Sequence, residues 1–418
     1  MSALLDSLAA SFHGDAARRA ELDALLQDGL PQRAESWKYT SLRQLDRRSF
    51  CVAQRVDVDP MLLAGIPEPR IVFVNGAFDA ALSNLAGLPG GIDVQPLSQL
   101  LDGHDTHAID FLARRYQRSD EPFARLNTAL AREGACIRVA AETMVDTPLH
   151  LVNIGAAQEG DAAWHLRHFV ELREGAALTL VEHTFASGEH AHLDNTLLQL
   201  HVAANATLSH VHLQDAPTRA SLFARTDASL AENAQYKRID LELGAALSRH
   251  ELNVRLEGNG ASLTANGVLL ADGRRHVDTR LGIEHIALNT ESNLIWRGLA
   301  GQRGHTVFHG GITIHSGADG TNADLSNKNL LLSADAEIDT QPTLVIHADE
   351  VKAAHGATVG QLDSTALFYL RSRGIPEVQA RALLTGAFCR EVVNGIADES
   401  TRTLCDAALT RALTRLGA

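Results

Sequence analysis

Cysteine, lysine and aromatic residues are all scarce in this chain of 418 residues. The four cysteines, Cys51, Cys136, Cys389 and Cys405, form no C-x-x-C pair, so neither a disulfide framework nor a stable thiolate-bound cluster in this chain alone is expected. None of the four lysines follows a glycine, which excludes a phosphate-binding loop of the G-x-x-x-x-G-K-[ST] type. If nucleotide hydrolysis drives the work of this protein, a partner must supply it.

Long apolar runs and excess positive charge are also missing. No stretch reaches the roughly eighteen uncharged apolar residues that a membrane span needs. The N-terminal segment has neither the basic start nor the apolar run of a signal peptide. We therefore expect a cytoplasmic protein that does not enter a membrane. The formal net charge of −14 argues against a nucleic-acid partner, because such binding depends on neutralising phosphates.

The two ends of the chain are predicted to be helical. Residues 1–133 are interpreted as a mainly helical N-terminal domain because apolar residues recur there at helical spacing. Residues 364–418 are interpreted as a C-terminal helical domain. Asp363 or Ser364 can cap its first helix, and Asp398 can cap its last.

The central residues 134–363 have a different pattern, in which short β-type runs alternate with Gly, Asn and Asp turns. A loose motif recurs there: a turn residue, alanine, any residue, and then leucine or isoleucine. It occurs as GACI (134–137), GAAL (175–178), NATL (205–208), GAAL (244–247), GASL (260–263) and DAEI (335–338). A repeated turn followed by an inward aliphatic residue favours a stacked β-coil, since each rung buries its apolar face only against its neighbours. A β-sandwich would give similar runs.

Several of the twenty histidines are candidates for metal ligands. The candidates are His190, His192, His210, His212, His305, His309 and His315. The His-x-His spacing of the first four places two imidazoles on one face of a strand. Exposed strand faces carry histidines freely, however, and no third and fourth ligands follow at a recognisable spacing. A dedicated metal site at these residues is therefore disfavoured.

Signs of an enzyme are weak in this sequence. It contains no G-x-S-x-G nucleophile motif, and Cys136 lies in an apolar run where a cysteine usually serves packing. Some polysaccharide-cleaving enzymes are β-helices with surface carboxylates, so a carbohydrate-active enzyme is the alternative function. Only 5% of the residues are aromatic, which is few for stacking against sugars. A purely structural homodimer is a third possibility, because an exposed sheet edge favours pairing.

His355 is surrounded by small residues in the segment VKAAHGATVG, residues 351–360. Small neighbours suit either the approach of another molecule or a tightly packed corner. The whole run from DLSNKNLLL through HGATVG to FYLRSRGI, residues 324–375, resembles the SufB/SufD family of iron–sulfur cluster assembly proteins. Upstream segments fit the same family in order: ESWKYTSL (35–42), IVFVNGAF (71–78), LNTALAREGACIRV (126–139) and TPLHLV (147–152).

The resemblance is closer to the SufD branch, because Gly356 follows the histidine where the SufB branch typically has glutamate. It implies a right-handed parallel β-helix core, flanked by N-terminal and C-terminal helical domains, in a non-catalytic scaffold subunit. It also implies pairing with a SufB-like subunit through the β-helix edge. The C-terminal helices are then expected to bind a SufC-like ATPase, in a complex that builds nascent clusters for other proteins.

The resemblance maps the cluster-site histidine of the family onto His355. We expect it to act with a SufB cysteine at a shared site, where a transient iron–sulfur cluster forms only in the heteromeric complex. Asp349 and Glu350 are candidates for additional oxygen ligands, or for partners of the other ring nitrogen. Some SufD proteins carry a cysteine two residues before this histidine, but this chain has Ala353, so any role of that thiol is absent.

Overall fold

The computed structural model describes residues 2–103 and 107–416. Within these ranges the chain forms a parallel β-solenoid of about eight turns, with helices in the N-terminal and C-terminal parts of the chain. The predicted β-helix between helical ends is therefore confirmed. The helices are α1 (Ala3–Ala9), α2 (Ala16–Asp28), α3 (Leu97–Asp102), α4 (Pro122–Leu130), α5 (Ser364–Ser372), α6 (Glu377–Val393) and α7 (Glu399–Arg415).

The N-terminal region contributes strands as well as helices. These strands are β1 (Cys51–Val52), β2 (Arg70–Val74), β3 (Ala77–Phe78) and β4 (Ile92–Pro96). β2 and β4 pair with the first strands of the solenoid, so the sheets continue across residue 133. The domain boundaries at residues 133 and 363 stay predictions.

The solenoid alternates between two ten-stranded sheets. The first sheet contains β5 (Ala135–Val139), β7 (Ala162–Leu172), β9 (His192–Val202), β11 (Ser221–Leu230), β13 (Leu247–Leu256), β15 (His276–His285), β17 (His305–Ile314) and β19 (Glu337–Ile346). The second contains β6 (Leu149–Gly155), β8 (Ala177–Ala186), β10 (Thr207–Gln214), β12 (Gln235–Glu242), β14 (Ser262–Ala271), β16 (Glu291–Ala300), β18 (Asn322–Leu331) and β20 (Lys352–Gly360). Each strand pairs in parallel with the strand two positions along the chain, so every turn of the coil adds one rung to both sheets.

The recurring sequence motif shapes the corners of the coil. Gly175, Asn205 and Gly260 each begin a copy and adopt positive φ values between 58° and 70°. Glycine and asparagine tolerate this left-handed conformation better than other residues do. The aliphatic residue three positions later, such as Leu208 or Leu263, is buried in the core between the sheets. In these three copies one short motif sets both the turn and the inward side chain, whereas Leu247 of the copy at 244–247 packs against the cluster of the N-terminal helices.

Helices cover the outer faces of both sheets. α6 and α7 bury residues such as Cys389 and Leu409 against Val268 and Leu299 of the second sheet. α1, α2 and α4 pack with Leu193 of the first sheet in a separate apolar cluster. Among the described residues, no helix is both long and apolar enough to cross a lipid bilayer.

The predicted helix starts near the C-terminus are confirmed. The Asp363 carboxylate accepts a 2.8 Å hydrogen bond from the Thr365 backbone N–H at the start of α5. The Asp398 carboxylate accepts a 2.7 Å bond from the Thr401 N–H at the start of α7. Such caps satisfy backbone donors that the first helical turn leaves free.

Candidate functional site: the open end of the solenoid

The last rung of the solenoid leaves two sheet edges open. β19 and β20 pair inward with β17 and β18, and no strand of the described residues pairs with their outer sides. An open edge presents unpaired backbone N–H and C=O groups and is a template for pairing with another chain. Val345, Ile346 and Val359 add exposed apolar side chains to the same two strands. We call β19 and β20 together the open end.

His355 lies on the inward-facing column of the open end. It is aligned with Leu325 of β18, which is aligned with Leu294 of β16, and both leucines are buried in the core. Residues aligned on parallel rungs point to the same side of their sheet. The His355 side chain is exposed because no further rung covers it. It is not packed into a corner of this chain.

The small residues around His355 leave it accessible. A Cβ atom added at Gly356 would meet no atom within 4 Å, so packing within the chain does not require glycine there. Ala353 packs against the core cluster, as does Val351 at the start of the segment. Asp349 and Glu350 lie in the exposed turn before β20, and no hydrogen bond or ion pair of the described residues joins them to His355. Their expected role as extra ligands stays a prediction.

A buried polar group lies one rung below the open end. Asn327 and Asn329 of β18 are buried, and the Asn329 amide donates a 2.6 Å hydrogen bond to the Asn327 carbonyl oxygen. Asn329 also donates to the Thr358 backbone carbonyl of β20, and Thr340 of β19 donates to Asn327. These bonds tie the two outermost strands to the rung beneath them and hold His355 on a well-anchored strand.

Thiol groups are absent from the open end. All four cysteines are free; Cys51 is exposed in β1, and the other three are buried. Burial raises the pKa of the Cys136 thiol to about 12 and that of the Cys405 thiol to about 12. Because the thiolate is the form that binds metal, these buried cysteines are poor ligands. At the open end this chain offers an imidazole rather than a thiolate.

The other histidine candidates lie elsewhere. His190 and His192 stand with ring centroids 4.7 Å apart, and His192 stacks on Trp164. His305 contacts the Asp339 carboxylate at 2.8 Å on the outer surface. None of these residues joins His355. His309 and His315 belong to β17 and the turn after it.

His210 and His212 differ from the expectation of an exposed strand face, because both are buried inside the solenoid. The spacing placed them correctly on one face, but that face points inward. His210 Nε2 lies 2.8 Å from the Glu182 carboxylate, and burial lowers the pKa of His210 to about 4. Around His212 the fold gathers Asp240, Glu242 and His250 from two later strands.

Sequence reasoning missed these three partners of His212. His212 and Asp240 are aligned on adjacent rungs although they are 28 residues apart in the sequence. His250 comes from β13 in the facing sheet. Only the register of the coil brings the four together, so no local spacing could have indicated them.

Comparison with known proteins supports the fold-level resemblance. The family model described as "SUF system FeS cluster assembly, SufBD core domain" matches residues 153–388, and "SufBD protein N-terminal region" matches residues 9–151. The first match runs from β6 through the open end into α6, and the second covers the N-terminal region from the end of α1 through β5 to the start of β6.

Individual relatives extend over most of the chain. It is 33% identical over 388 residues to the iron–sulfur cluster assembly protein SufD of Escherichia coli, covering 91% of this chain and 89% of that protein. It is 30% identical over 393 residues to a SufBD family protein of Synechocystis, covering 91% and 86%. A SufD protein of Bacillus subtilis is 25% identical over 66% of this chain and 63% of its own length. The chain therefore belongs to the SufB/SufD family of iron–sulfur cluster assembly proteins and is similar to SufD.

Proposed function

We propose that this protein is a non-catalytic, SufD-like scaffold subunit of a cytoplasmic SufBCD-type complex. In this proposal the open end pairs with a SufB-like subunit, and His355 supplies one ligand to a nascent iron–sulfur cluster at the shared interface. The cluster is cargo that passes to other proteins. The chain holds no stable cluster by itself because its own thiols lie away from His355.

A single observation carries this proposal: the last rung of the thiol-poor core is uncovered, and it carries an accessible imidazole. His355 continues a column of buried leucines and is itself exposed. A second subunit that extends the sheets past β19 and β20 would cover it, and a cysteine from that subunit could complete the ligand set.

The C-terminal helices are proposed to bind a SufC-like ATPase. One face of α6 and α7 is buried against the solenoid, but Phe368, Tyr369, Val378 and Leu383 are exposed on α5 and α6. Phe368 is 71% exposed, which is unusual for a large aromatic side chain outside an interface. The chain has no phosphate-binding loop of its own, so ATP hydrolysis would act from the partner.

The working cycle then couples the two interfaces. Dimerisation of two ATPase subunits on ATP binding would strain the SufB–SufD interface and open the nascent-cluster site. A ligand shifts such a two-state interface only if it favours one of the two states. Here that ligand is ATP bound to the ATPase pair.

Pairing through the open end is tested by co-purification. Val359→Lys places a charge on the outer strand, where the side chain is 44% exposed, so we expect at least a tenfold loss of the SufB-like subunit from complexes purified through this chain. Leu288→Lys is the matched control, because Leu288 is 43% exposed but lies in the turn between β15 and β16. Full co-purification of Val359→Lys would refute the proposed interface. A homodimer of the isolated chain that Val359→Lys also disrupts would show that the same edge can pair with its own copy.

A further inference from the structure

The interior of the solenoid contains a second group of metal-ligand side chains, away from the open end. His212 of β10, Asp240 and Glu242 of β12, and His250 of β13 each offer one ligand atom, and these atoms all lie within 4.8 Å of one another. All four side chains are buried, with residue exposures of 6% or less. A group of imidazoles and carboxylates inside a protein needs a physical explanation, because burying polar groups without partners is costly.

The spacing of the ligand atoms fits a single metal ion. His212 Nδ1 lies 3.0 Å from Glu242 Oε1 and 3.6 Å from Asp240 Oδ1. His250 Nδ1 lies 3.7 Å from Glu242 Oε1 and 3.9 Å from Asp240 Oδ1. Metal bonds of about 2.0–2.2 Å in a tetrahedral site place the ligands about 3.3–3.6 Å apart. The four distances lie within about 0.3 Å of that range, and all of the ligand atoms lie within 4.8 Å of one another.

Each member of the group has an atom without a hydrogen-bond partner. These buried atoms are Nδ1 of His212, Nδ1 of His250, Oδ2 of Asp240 and Oε1 of Glu242, and among them His212 Nδ1 and Glu242 Oε1 contact each other at 3.0 Å. Buried polar atoms in folded proteins are almost always paired with protein, water or an ion. Glu242 Oε1 lies within 3.7 Å of both imidazole nitrogens, so one bound ion would satisfy these three atoms.

Neighbouring residues hold both carboxylates: Glu242 through the oxygen that faces away from His212, and Asp240 through the same oxygen that faces the imidazoles. Ser248 Oγ donates a 3.1 Å hydrogen bond to Glu242 Oε2, and an Arg238 guanidinium nitrogen lies 2.7 Å from Asp240 Oδ1. Bonds of this kind orient metal-binding side chains in known sites. Arg238 also contacts His250 Nε2 at a long distance of 3.3 Å. When Nδ1 of His250 binds a metal, its proton moves to Nε2. This contact would then break, because two donors would face each other.

The group carries more negative than positive charge when its histidines are neutral. Glu182, Asp240 and Glu242 carry three negative charges when ionised, and Arg238 supplies one positive charge among them. A divalent cation would balance the remaining two. The adjoining cavity has a volume of about 20 Å³, which is room for one water-sized ligand or ion.

We propose that His212, Asp240, Glu242 and His250 bind one divalent transition-metal ion, of the zinc type, inside the solenoid. Two imidazoles with two carboxylates are a borderline ligand set that suits Zn²⁺ better than Ca²⁺ or Mg²⁺. The ion would tie the two sheets together across the interior. This site is separate from the shared cluster site, and it stands whether or not the scaffold function does.

The test is zinc binding by the purified full-length chain after removal of metals with a chelator. Equilibrium dialysis with metal analysis should give one tightly bound Zn²⁺ per chain. Glu242→Gln and His250→Gln should each raise the dissociation constant at least tenfold, with circular dichroism confirming that the variants are folded. Absence of stoichiometric zinc on the folded wild-type chain, or undiminished binding in both folded variants, would overturn the proposal.

The matched control addresses the exposed group of His305, Glu337 and Asp339, which also brings ligand atoms together. His305→Gln should leave the tight zinc site intact, and loss of tight binding in that variant would refute the interior site. A measurement on the wild type alone decides the question if the interior variants do not fold. X-ray absorption at the zinc edge should show only nitrogen and oxygen ligands at about 2.0–2.2 Å, whereas sulfur at about 2.3 Å would contradict the proposal.

Discussion

At the scale of single residues, burial separates two kinds of histidine in this protein. His355 lies at the open end and is exposed, as expected of a side chain that a partner subunit would cover. His285, at the end of β15, is fully buried, and its two ring nitrogens contact the Thr290 and Ser292 hydroxyls at 2.8 and 2.9 Å. Burial lowers the pKa of His285 to about 4. We propose a functional role for the first histidine and expect the second to affect stability.

His285 should make unfolding depend on pH. Its pKa is lower in the folded state than the ordinary value of 6.5, so between pH 6.5 and 4 the unfolded chain binds a proton that the folded chain does not. Stability is therefore full above pH 6.5 and is lost as the pH falls towards 4. Lowering the pH from 7 to 5 should cost the wild type about 2 kcal/mol more than His285→Gln, as measured by urea unfolding at each pH.

The control for this measurement is His347→Gln, at an exposed histidine in the turn after β19. That variant removes a histidine and leaves every buried histidine in place, so the pH dependence of its unfolding should match the wild type. An equal pH dependence for His285→Gln and the wild type would show that His285 does not contribute.

At the scale of elements, the C-terminal helices divide into a buried and an exposed face. Removing residues 364–418 would also remove Val392 and Leu409, which are buried against the second sheet, and would uncover that sheet. Loss of ATPase binding after such a deletion would then mix two causes. Substitutions confined to the exposed face of α5 separate them.

We expect Phe368→Ser combined with Tyr369→Ser to weaken binding of the SufC-like ATPase at least tenfold, since the pair removes two exposed aromatic side chains at the proposed contact. Neither residue is part of a buried cluster, so the unfolding free energy should change little. Pull-down and calorimetric titration with the ATPase measure the effect. Met61→Ser, at a side chain that is 72% exposed near the N-terminus, is the control. Wild-type affinity in the double variant would exclude this face as the docking surface.

At the scale of the whole molecule, the sequence predicted the β-coil better than it predicted which polar residues lie inside that coil. The recurring turn–Ala–x–Leu motif identified the corners, because the turn conformation and the inward leucine are both local properties, as at Asn205 and Leu208. The caps at Asp363 and Asp398 identified helix starts for the same reason. The resemblance through HGATVG supplied what local patterns could not, namely the functional interpretation of His355.

The buried group of His212, Asp240, Glu242 and His250 could not be predicted from one sequence. His210 and His212 were expected on an exposed strand face. Their spacing of two residues shows that they share one side of the strand, but it does not show whether that side faces solvent or the core. Asp240 lies near His212 because the two residues are aligned on stacked rungs, and His250 lies near it because the two sheets face each other. Such long-range alignment leaves no local mark in the sequence. The pairing of the N-terminal strands β2 and β4 with the solenoid is long-range in the same way.

The most direct test of the account is the iron and acid-labile sulfide content of the anaerobically purified three-subunit complex carrying His355→Ala. We expect normal assembly with cluster content reduced at least fivefold, because the complex would lose one ligand of the shared site. His347→Ala, at the exposed histidine nearest in sequence before it, should leave cluster content unchanged. An intact complex with a normal cluster content in His355→Ala would contradict the account.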